Sequence, residues 1–187
     1  VTDEHANPLP RLRFVTRDEG DQYEGMGTTV SNGNYAIAVL AGSWYVWASS
    51  DNPGNYIFNN VSTNIAAGQA VRLDFTGMPG ATISGTVLTE EGNTLDEAYV
   101  EAAIVTFNEY GWDWQHVAGT DVGSDGSYRL LVPPGTNYTV KAEGPNESVW
   151  LMQYYSNTFD IAQATPVTAL TNAPATKVVV NISRTSG

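Results

Sequence analysis

The strongest constraint on the fold of this chain is an internal repeat. Residues 1–9 match residues 87–95, and the correspondence resumes further along both halves in the same order. A repeated order of landmarks indicates that one structural unit occurs twice. We therefore predict two domains, residues 1–79 and 80–187, joined by a short linker at residues 76–80. The later matches pair residues 31–35 with 124–128 and residues 40–46 with 133–140.

Apolar and polar residues alternate with a period of two in both halves, which is the pattern of half-buried β-strands. Clusters of Gly, Pro, Asn and Asp separate these runs, and Gly33 and Gly126 lie at positions that suit tight hairpin turns. No helical period is sustained anywhere. The sequence thus predicts an all-β fold of two tandem antiparallel β-sandwiches. The clearest strand candidates are residues 35–39, 44–48, 71–75, 128–132, 138–142 and 178–182.

The two repeats differ at their beginnings. The second contains residues 83–87, a run rich in β-branched residues, ahead of most of the shared segment, whereas the first starts at Val1. We therefore expect the first domain to lack part of its first strand. A sheet without one of its strands presents an incompletely paired edge.

The chain is acidic, with 20 Asp and Glu residues against eight Lys and Arg and a formal net charge of −12. Nucleic acids and anionic lipids need cationic neutralisation, so we predict no nucleic-acid partner. With no cysteine, there is neither a disulfide framework nor a thiolate metal site. No apolar run approaches the roughly 20 residues of a membrane span. Residues 1–10 lack the features of a signal peptide, so we expect no membrane insertion and any targeting segment outside this stretch.

Three segments together resemble the carboxypeptidase regulatory-like domains of bacterial secreted and surface proteins. They are residues 83–87, residues 124–142, and residues 153–155 followed by 164–167. The resemblance covers nearly all of the second repeat. The first repeat keeps the turn before Tyr35 and the segment at residues 41–46, but it lacks the paired prolines of the second.

This resemblance implies a transthyretin-like, or prealbumin-like, Greek-key sandwich in each repeat, related in shape to the collagen-adhesin B modules of bacterial surfaces. Our first hypothesis for the function is a non-catalytic structural or interaction module of a larger secreted or cell-surface bacterial protein, acting as a spacer, stalk or adhesin part. The expected partners are neighbouring domains of the same polypeptide or a surface protein. Such folds serve many roles, so the resemblance predicts the fold more sharply than the function.

The sequence offers no catalytic apparatus, and we predict that the chain is not an enzyme. A zinc peptidase needs several His and Glu ligands around its metal, but the only histidines are His5 and His116, one in each repeat. There is no Gly-x-Ser-x-Gly elbow for serine hydrolysis. A small sandwich also rarely forms the cleft that a pair of glycosidase carboxylates requires. We expect no cofactor, with calcium as the one alternative.

The calcium alternative rests on Asp121 and Asp125, which precede Gly126 in a short acidic segment. This segment lacks the alternating carboxylates and terminal Glu of an EF-hand loop. A plain β-turn with the same residues needs no ion. Both interpretations stay open at the level of sequence.

Aromatic residues form the best candidate ligand site. Tyr110, Trp112, Trp114 and His116 alternate, so an extended backbone places all four on one face. Tyr45 and Trp47 lie opposite the inward-facing Trp44 and Val46 of the first repeat. Exposed aromatic faces stack on sugar rings, which predicts a carbohydrate-binding accessory module, with polysaccharide as partner, as the alternative function. The competing interpretation is that these rings pack in the core or between the domains.

Overall fold

The structure is a computed structural model that describes residues 1–49, 52, 54–146, 149–170 and 176–184. The chain folds into two compact units, Val1–Pro79 and Gly80–Gly187. Apart from one 3₁₀ turn at Ile161–Gln163, every regular element among the described residues is a β-strand. The predicted all-β class is therefore confirmed. No helix in the described part of the chain is long and apolar enough to span a bilayer.

The first unit contains β1 (Thr2–Asp3), β2 (Arg13–Asp18), β3 (Glu24–Thr28), β4 (Gly42–Ala48), β5 (Tyr56–Ile57), β6 (Val61–Ile65) and β7 (Thr76–Pro79). One sheet has the strand order β3-β2-β4-β6, with antiparallel neighbours throughout. The other has the order β1-β7-β5. There β1 runs parallel to β7 over only two pairs, Thr2 with Thr76 and Asp3 with Gly77.

The core of the first unit is built around Phe14. This side chain is fully buried, and its ring centroid lies 5.2 Å from that of Tyr35 and 4.6 Å from that of Phe75. Trp44 and Val46 of β4 are each 4% exposed, as the alternation predicts. Aromatic side chains from a strand and from irregular segments therefore pack together in this core.

Three predictions about the first unit are wrong. Residues 35–39 and 71–75 are not strands, although their exposure largely alternates along the chain as it does in strands. Strand geometry is sustained by a series of hydrogen bonds to a neighbouring strand, and within the described residues the only such backbone bond goes from Thr2 N to Phe75 O, at the end of the second segment. The predicted linker at residues 76–80 is also wrong, because Thr76–Pro79 forms β7 of the first unit.

The second unit contains β8 (Ala81–Thr89), β9 (Tyr99–Asn108), β10 (Gly111–Asp121), β11 (Ser127–Val132), β12 (Asn137–Glu143), β13 (Gln153–Tyr154), β14 (Val167–Thr168) and β15 (Thr176–Ile182). One sheet has the order β10-β9-β12-β13, and β14 also pairs with β12. The other has the order β11-β8-β15. One cluster of buried side chains draws on both sheets, including Ile83, Val100, Val140 and Val180.

The prediction of antiparallel sheets is wrong at one long contact in this unit. β8 and β15 run parallel over seven residue pairs, from Ile83 with Thr176 to Thr89 with Ile182. Alternation along a single strand carries no information about the direction of its neighbour, which is why the pattern could not reveal this.

The internal repeat is visible in the hydrogen bonds of the two units. Leu9 N donates to Val1 O at 3.1 Å, and Leu95 N donates to Val87 O at 3.0 Å. Gly33 and Gly126 occupy matching turns with φ of 77° and 76°. The remaining matched bonds are Asp3 N to Asn7 O with Thr89 N to Asn93 O, and Val1 N to Gly33 O with Val87 N to Gly126 O.

Candidate functional site

The residues richest in possible chemistry lie on one face of the β10-β9-β12-β13 sheet. On β9, Val100 and Ala102 point into the core, so Glu101 between them points to the opposite face. On β12, Lys141 takes the same orientation between two core residues. β10 adds Trp114 and His116 beside Glu101. We call this set of four residues the Glu101 network.

Glu101 is the centre of the network. Its side chain is 11% exposed, and Oε1 accepts a hydrogen bond from Nε1 of Trp114. Nδ1 of His116 lies 2.9 Å from the same oxygen. Lys141 Nζ lies 3.3 Å from Oε2 of Glu101 and 2.8 Å from Oε1 of Glu143. The carboxylate is thus paired on both oxygens, as a buried charge requires.

The charges of the network hold each other in their ionised forms. Burial works to raise the pKa of Glu101, but hydrogen bonds from Trp114 and His116 and the charge of Lys141 bring it below its usual value. For Lys141, burial works to lower the pKa, and the pairing with Glu143 and Glu101 raises it above its usual value. Both groups are therefore charged at neutral pH.

The ring of Trp114 contacts neighbouring side chains and is only partly exposed. Lys141 Nζ lies 4.8 Å from its ring centroid, a cation–π contact. Its centroid lies 6.0 Å from that of Tyr154, with the planes inclined by 54°. A surface depression of about 600 Å³ opens here, and its lining includes Trp112, Trp114, Lys141 and Tyr154.

The structure brings together three of the four residues in the predicted aromatic row. Trp112, Trp114 and His116 lie on β10, and a β-bulge between His116 and Ala118 interrupts the strand immediately afterwards. Trp112 is 47% exposed and packs edge-on against Phe107 at 5.0 Å between centroids. Tyr110 lies in the preceding turn and is 91% exposed, so the expectation of one extended row of four is wrong at that position.

Tyr45 and Trp47 lie in the first unit and form a separate pair. Their ring centroids are 5.7 Å apart, and the hydroxyl of Tyr45 accepts a hydrogen bond from Asn60 Nδ2 at 2.8 Å. The guanidinium of Arg17 lies 5.7 Å from the Trp47 ring. Tyr45 is 45% exposed, so the pair faces outward with one ring accessible.

Asp121 and Asp125, the residues of the calcium alternative, lie at the end of β10 and in the turn before β11. Asp125 Oδ1 accepts hydrogen bonds from Ser127 N at 3.0 Å and from Ser127 Oγ at 2.6 Å. These bonds lower the pKa of Asp125 and close a local turn. Across the described residues, no group of three or more His, Cys, Asp or Glu side chains is placed to hold a metal ion.

Sequence reasoning missed Glu101 and Lys141. The available signal was a charged residue within an otherwise apolar strand segment, at residues 100–104 and again at residues 140–142. A charge in such a run either reaches solvent or finds a partner. Nothing in the sequence showed that these two strands are adjacent, so the pairing itself could not be predicted.

No family model matches the chain, and no curated protein matches it. Among solved structures, similarity is found to the Bacillus anthracis TIE protein, with 17% identity and a TM-score of 0.40 over 98% of this chain. A streptococcal ancillary pilin gives 14% identity and a TM-score of 0.35 over 100% of this chain. The shaft pilin SpaA from Lactobacillus rhamnosus GG gives 12% and 0.38 over 97%.

The chain spans 33% of the length of the TIE protein, 61% of the ancillary pilin and 90% of the shaft pilin. Similarity at these identities and TM-scores carries no information about what this chain binds or does.

Proposed function

We propose that this chain is a non-catalytic structural module of a larger secreted or cell-surface bacterial protein, acting as a spacer, stalk or adhesin part. Its two sandwich domains are residues 1–79 and 80–187, each with the Greek-key topology of the carboxypeptidase regulatory-like domains that the sequence resembles. Neighbouring domains of the same polypeptide, or a surface protein, are the partners that this role requires. The proposal rests chiefly on the pairing between the first and the last described strands of the second unit.

The observation that carries the proposal is the parallel pairing of β8 and β15. β8 is the strand by which the chain enters the second unit, and β15 is the last strand described in it. Because they are parallel, Ala81 at the entry and Ile182 at the exit lie at opposite ends of the pair. The seven paired residues extend over about 20 Å at roughly 3.3 Å per residue.

This arrangement suits a module that transmits force. A pull on the two ends of the unit acts along the strands and in opposite directions. The hydrogen bonds between β8 and β15 are then loaded together instead of breaking one after another. A spacer or stalk benefits from this geometry because unfolding under force is governed by the rate at which such bonds fail.

The Glu101 network supports a structural role instead of a catalytic one. A general acid or base needs a protonation state that changes near the working pH. Here Glu101 is held ionised by three donors, and Lys141 is held protonated between two carboxylates. The network joins β9, β10 and β12 across the face of one sheet and stabilises their register.

Single-molecule pulling on the whole chain from its two ends tests the proposal. We expect two unfolding events, with the second unit unfolding at the higher force. Gly85→Ala should lower that force, because a Cβ on Gly85 would overlap the carbonyl oxygen of Val178 in β15. Gly20→Ala in the first unit is the matched control, since its Cβ meets only ordinary contacts at 3.5 Å and beyond. Equal low forces for both units would contradict a role in transmitting force.

Carbohydrate binding by Tyr110, Trp112, Trp114 and His116, or by Tyr45 and Trp47, stays a prediction from the sequence. Lys141 lies over the Trp114 ring, and His116 is engaged with Glu101. Calcium at Asp121 and Asp125 likewise stays a prediction. We rank both behind the structural role.

A further inference from the structure

The first unit contains a groove lined on two sides by segments that are not strands. It has a volume of about 630 Å³ and lies between residues 34–39 on one side and residues 69–74 on the other, with Val1 also in its lining. Tyr35, Ile37 and Val39 are only half-buried along one wall. Leu73 is half-buried in the other wall, and Val71 is 37% exposed.

The matched hydrogen bonds show what the two walls correspond to. Tyr35 donates its hydroxyl to Leu73 O at 3.1 Å, as Tyr128 donates to Val178 O at 2.8 Å. The pair Thr2 with Thr76 matches the pair Leu88 with Asn181. Residues 34–39 therefore correspond to β11, and residues 71–77 correspond to β15.

In the second unit, β8 occupies the space between these two strands. It is antiparallel to β11 through Ala81–Thr86 and parallel to β15. In the first unit, the positions that correspond to Ala81–Thr86 would come directly before Val1. The amino group of Val1 donates to Gly33 O at 2.7 Å. Val87 N, at the end of the same stretch of β8, donates to Gly126 O at 2.9 Å.

The walls of the groove also have hydrogen-bonding groups available. Among the described residues, the N–H and C=O groups of residues 35–39 and 70–74 form no backbone–backbone hydrogen bond. Next to them, Phe75 O accepts one such bond from Thr2 N. Each wall is about six residues long, or about 20 Å, which is the length of a six-residue strand. Backbone segments without backbone partners on both sides of a groove are a template for an added strand.

We propose that this groove holds one further β-strand, which leads into Val1, runs antiparallel to residues 34–39 and runs parallel to residues 71–75. The strand completes the first unit's sheet as a continuation of β1. Its pattern follows that of β8, where Ile83 and Val87 are fully buried and the positions between them are less so.

One position of this strand is restricted to glycine. In the second unit the Tyr128 hydroxyl crosses over Gly85 to reach Val178 O, and a Cβ on Gly85 would lie 2.9 Å from that hydroxyl and would overlap the carbonyl oxygen. Tyr35 makes the same crossing in the first unit. The residue two places before Val1 in the seated strand must therefore have no side chain.

The test extends the full chain with the six residues Ala-Thr-Ile-Ser-Gly-Thr of β8, placed directly before Val1. We expect amide hydrogen exchange of residues 35–39 and 70–74 to slow by about tenfold or more, because their groups gain strand partners. The thermal unfolding midpoint of the first unit should rise as well. The matched control carries alanine in place of the glycine of the extension and should show neither effect.

Two results would overturn the proposal. One is unchanged exchange in the extended chain, which would show that the groove does not seat the strand. The other is equal protection by the glycine and alanine extensions, which would contradict the register through Tyr35. Sedimentation of the unextended chain tests whether a second copy of the chain occupies the groove. A dimer in which residues 35–39 are already protected from hydrogen exchange would also count against a strand joined to Val1.

Discussion

The two units of this chain make the same local hydrogen bonds and differ in the sheet that joins their first and last strands. In the second unit this parallel pair spans seven residues, and in the first it spans two. Leu130 and Val132 in the second unit are at most 1% exposed, whereas Ile37 and Val39 at the corresponding positions are half-buried. An alternating apolar run becomes a buried strand only when a neighbouring strand is present to pair with it.

The cores of the two units also differ in size. Among the described residues, the buried cluster of the second unit contains 20 hydrophobic residues, and that of the first contains five with eight partly buried ones around them. Each large apolar side chain contributes about 1.5–3 kcal/mol when fully buried. We therefore expect the second unit to be the more stable of the two.

The largest expected effect comes from Gly85→Ala in β8. The added methyl group overlaps the carbonyl of Val178, so β8 and β15 must separate or shift. We expect the free energy of unfolding of the second unit to fall by about 3 kcal/mol or more. Urea unfolding followed by tryptophan fluorescence measures it. Gly20→Ala is the control, and an equal loss in both variants would contradict the role of the pair.

A somewhat smaller loss is expected from Glu101→Gln, which removes the charge that holds Trp114, His116 and Lys141. We expect a decrease of about 2 kcal/mol at neutral pH, because charged hydrogen bonds contribute about 1.5–3 kcal/mol each and part of the network remains. Glu109→Gln, an exposed change in the turn before β10, should have almost no effect.

The same variant should change the pH dependence of stability. The pKa of Glu101 is lower in the folded chain than its usual value, so its contribution is complete above that usual value of about 4.3 and is lost as the pH falls through the folded pKa. Lys141 has a raised pKa, so its contribution is lost only as the pH rises through it. Glu101→Gln should flatten the acid limb. Parallel acid limbs for variant and wild type would contradict this account.

A direct comparison of the two units comes from Tyr128→Phe and Tyr35→Phe, which remove equivalent hydroxyls. Burial raises the pKa of Tyr128, with Tyr155 adding to the effect, so the hydroxyl stays protonated and donates to Val178 O. We expect a loss of about 1.5 kcal/mol for Tyr128→Phe and about 0.5 kcal/mol for Tyr35→Phe, where the bond is half-solvated. Calorimetry on both variants measures the difference. Equal losses would show that the Tyr35 hydroxyl is as well shielded from water as the Tyr128 hydroxyl.

The smallest effect on stability is expected from Trp112→Ala. Trp112 is 47% exposed and touches Phe107, so we expect a change below about 1 kcal/mol. This makes it a cleaner probe of carbohydrate binding than Trp114, whose removal disturbs Glu101. Fluorescence titration with soluble polysaccharides, with and without calcium, should give no saturable response that depends on Trp112. Such a response, lost in a folded variant, would move the carbohydrate-binding alternative ahead of the structural role.

Local sequence signals predicted much of the fold. Residues 128–132, 138–142 and 178–182 are strands because their alternation is intrinsic to each segment and a partner strand is available for each. Gly33 and Gly126 have positive φ in their turns because only glycine adopts such angles without strain. Residues 35–39 carry an equally clear pattern and are not a strand, and no strand among the described residues pairs with them.

The candidate site was predicted less well for a related reason. The alternation of Trp112, Trp114 and His116 was readable along one strand, and their common face follows from it. Glu101 and Lys141 are 40 residues apart in the sequence and meet only because β9 and β12 are adjacent. Interactions across strands depend on register, which the sequence pattern of one strand does not specify.

The amino-acid sequence by itself determined the all-β class, the repeat and the turns, because these depend on side-chain alternation and backbone preferences within a few residues. Tertiary structure alone decided that β8 pairs in parallel with β15, that Glu101 gathers its three partners, and that a groove separates residues 34–39 from residues 69–74. The physical reason is that a hydrogen bond or ion pair between distant segments exists only when the packed sheets bring both groups to the same place.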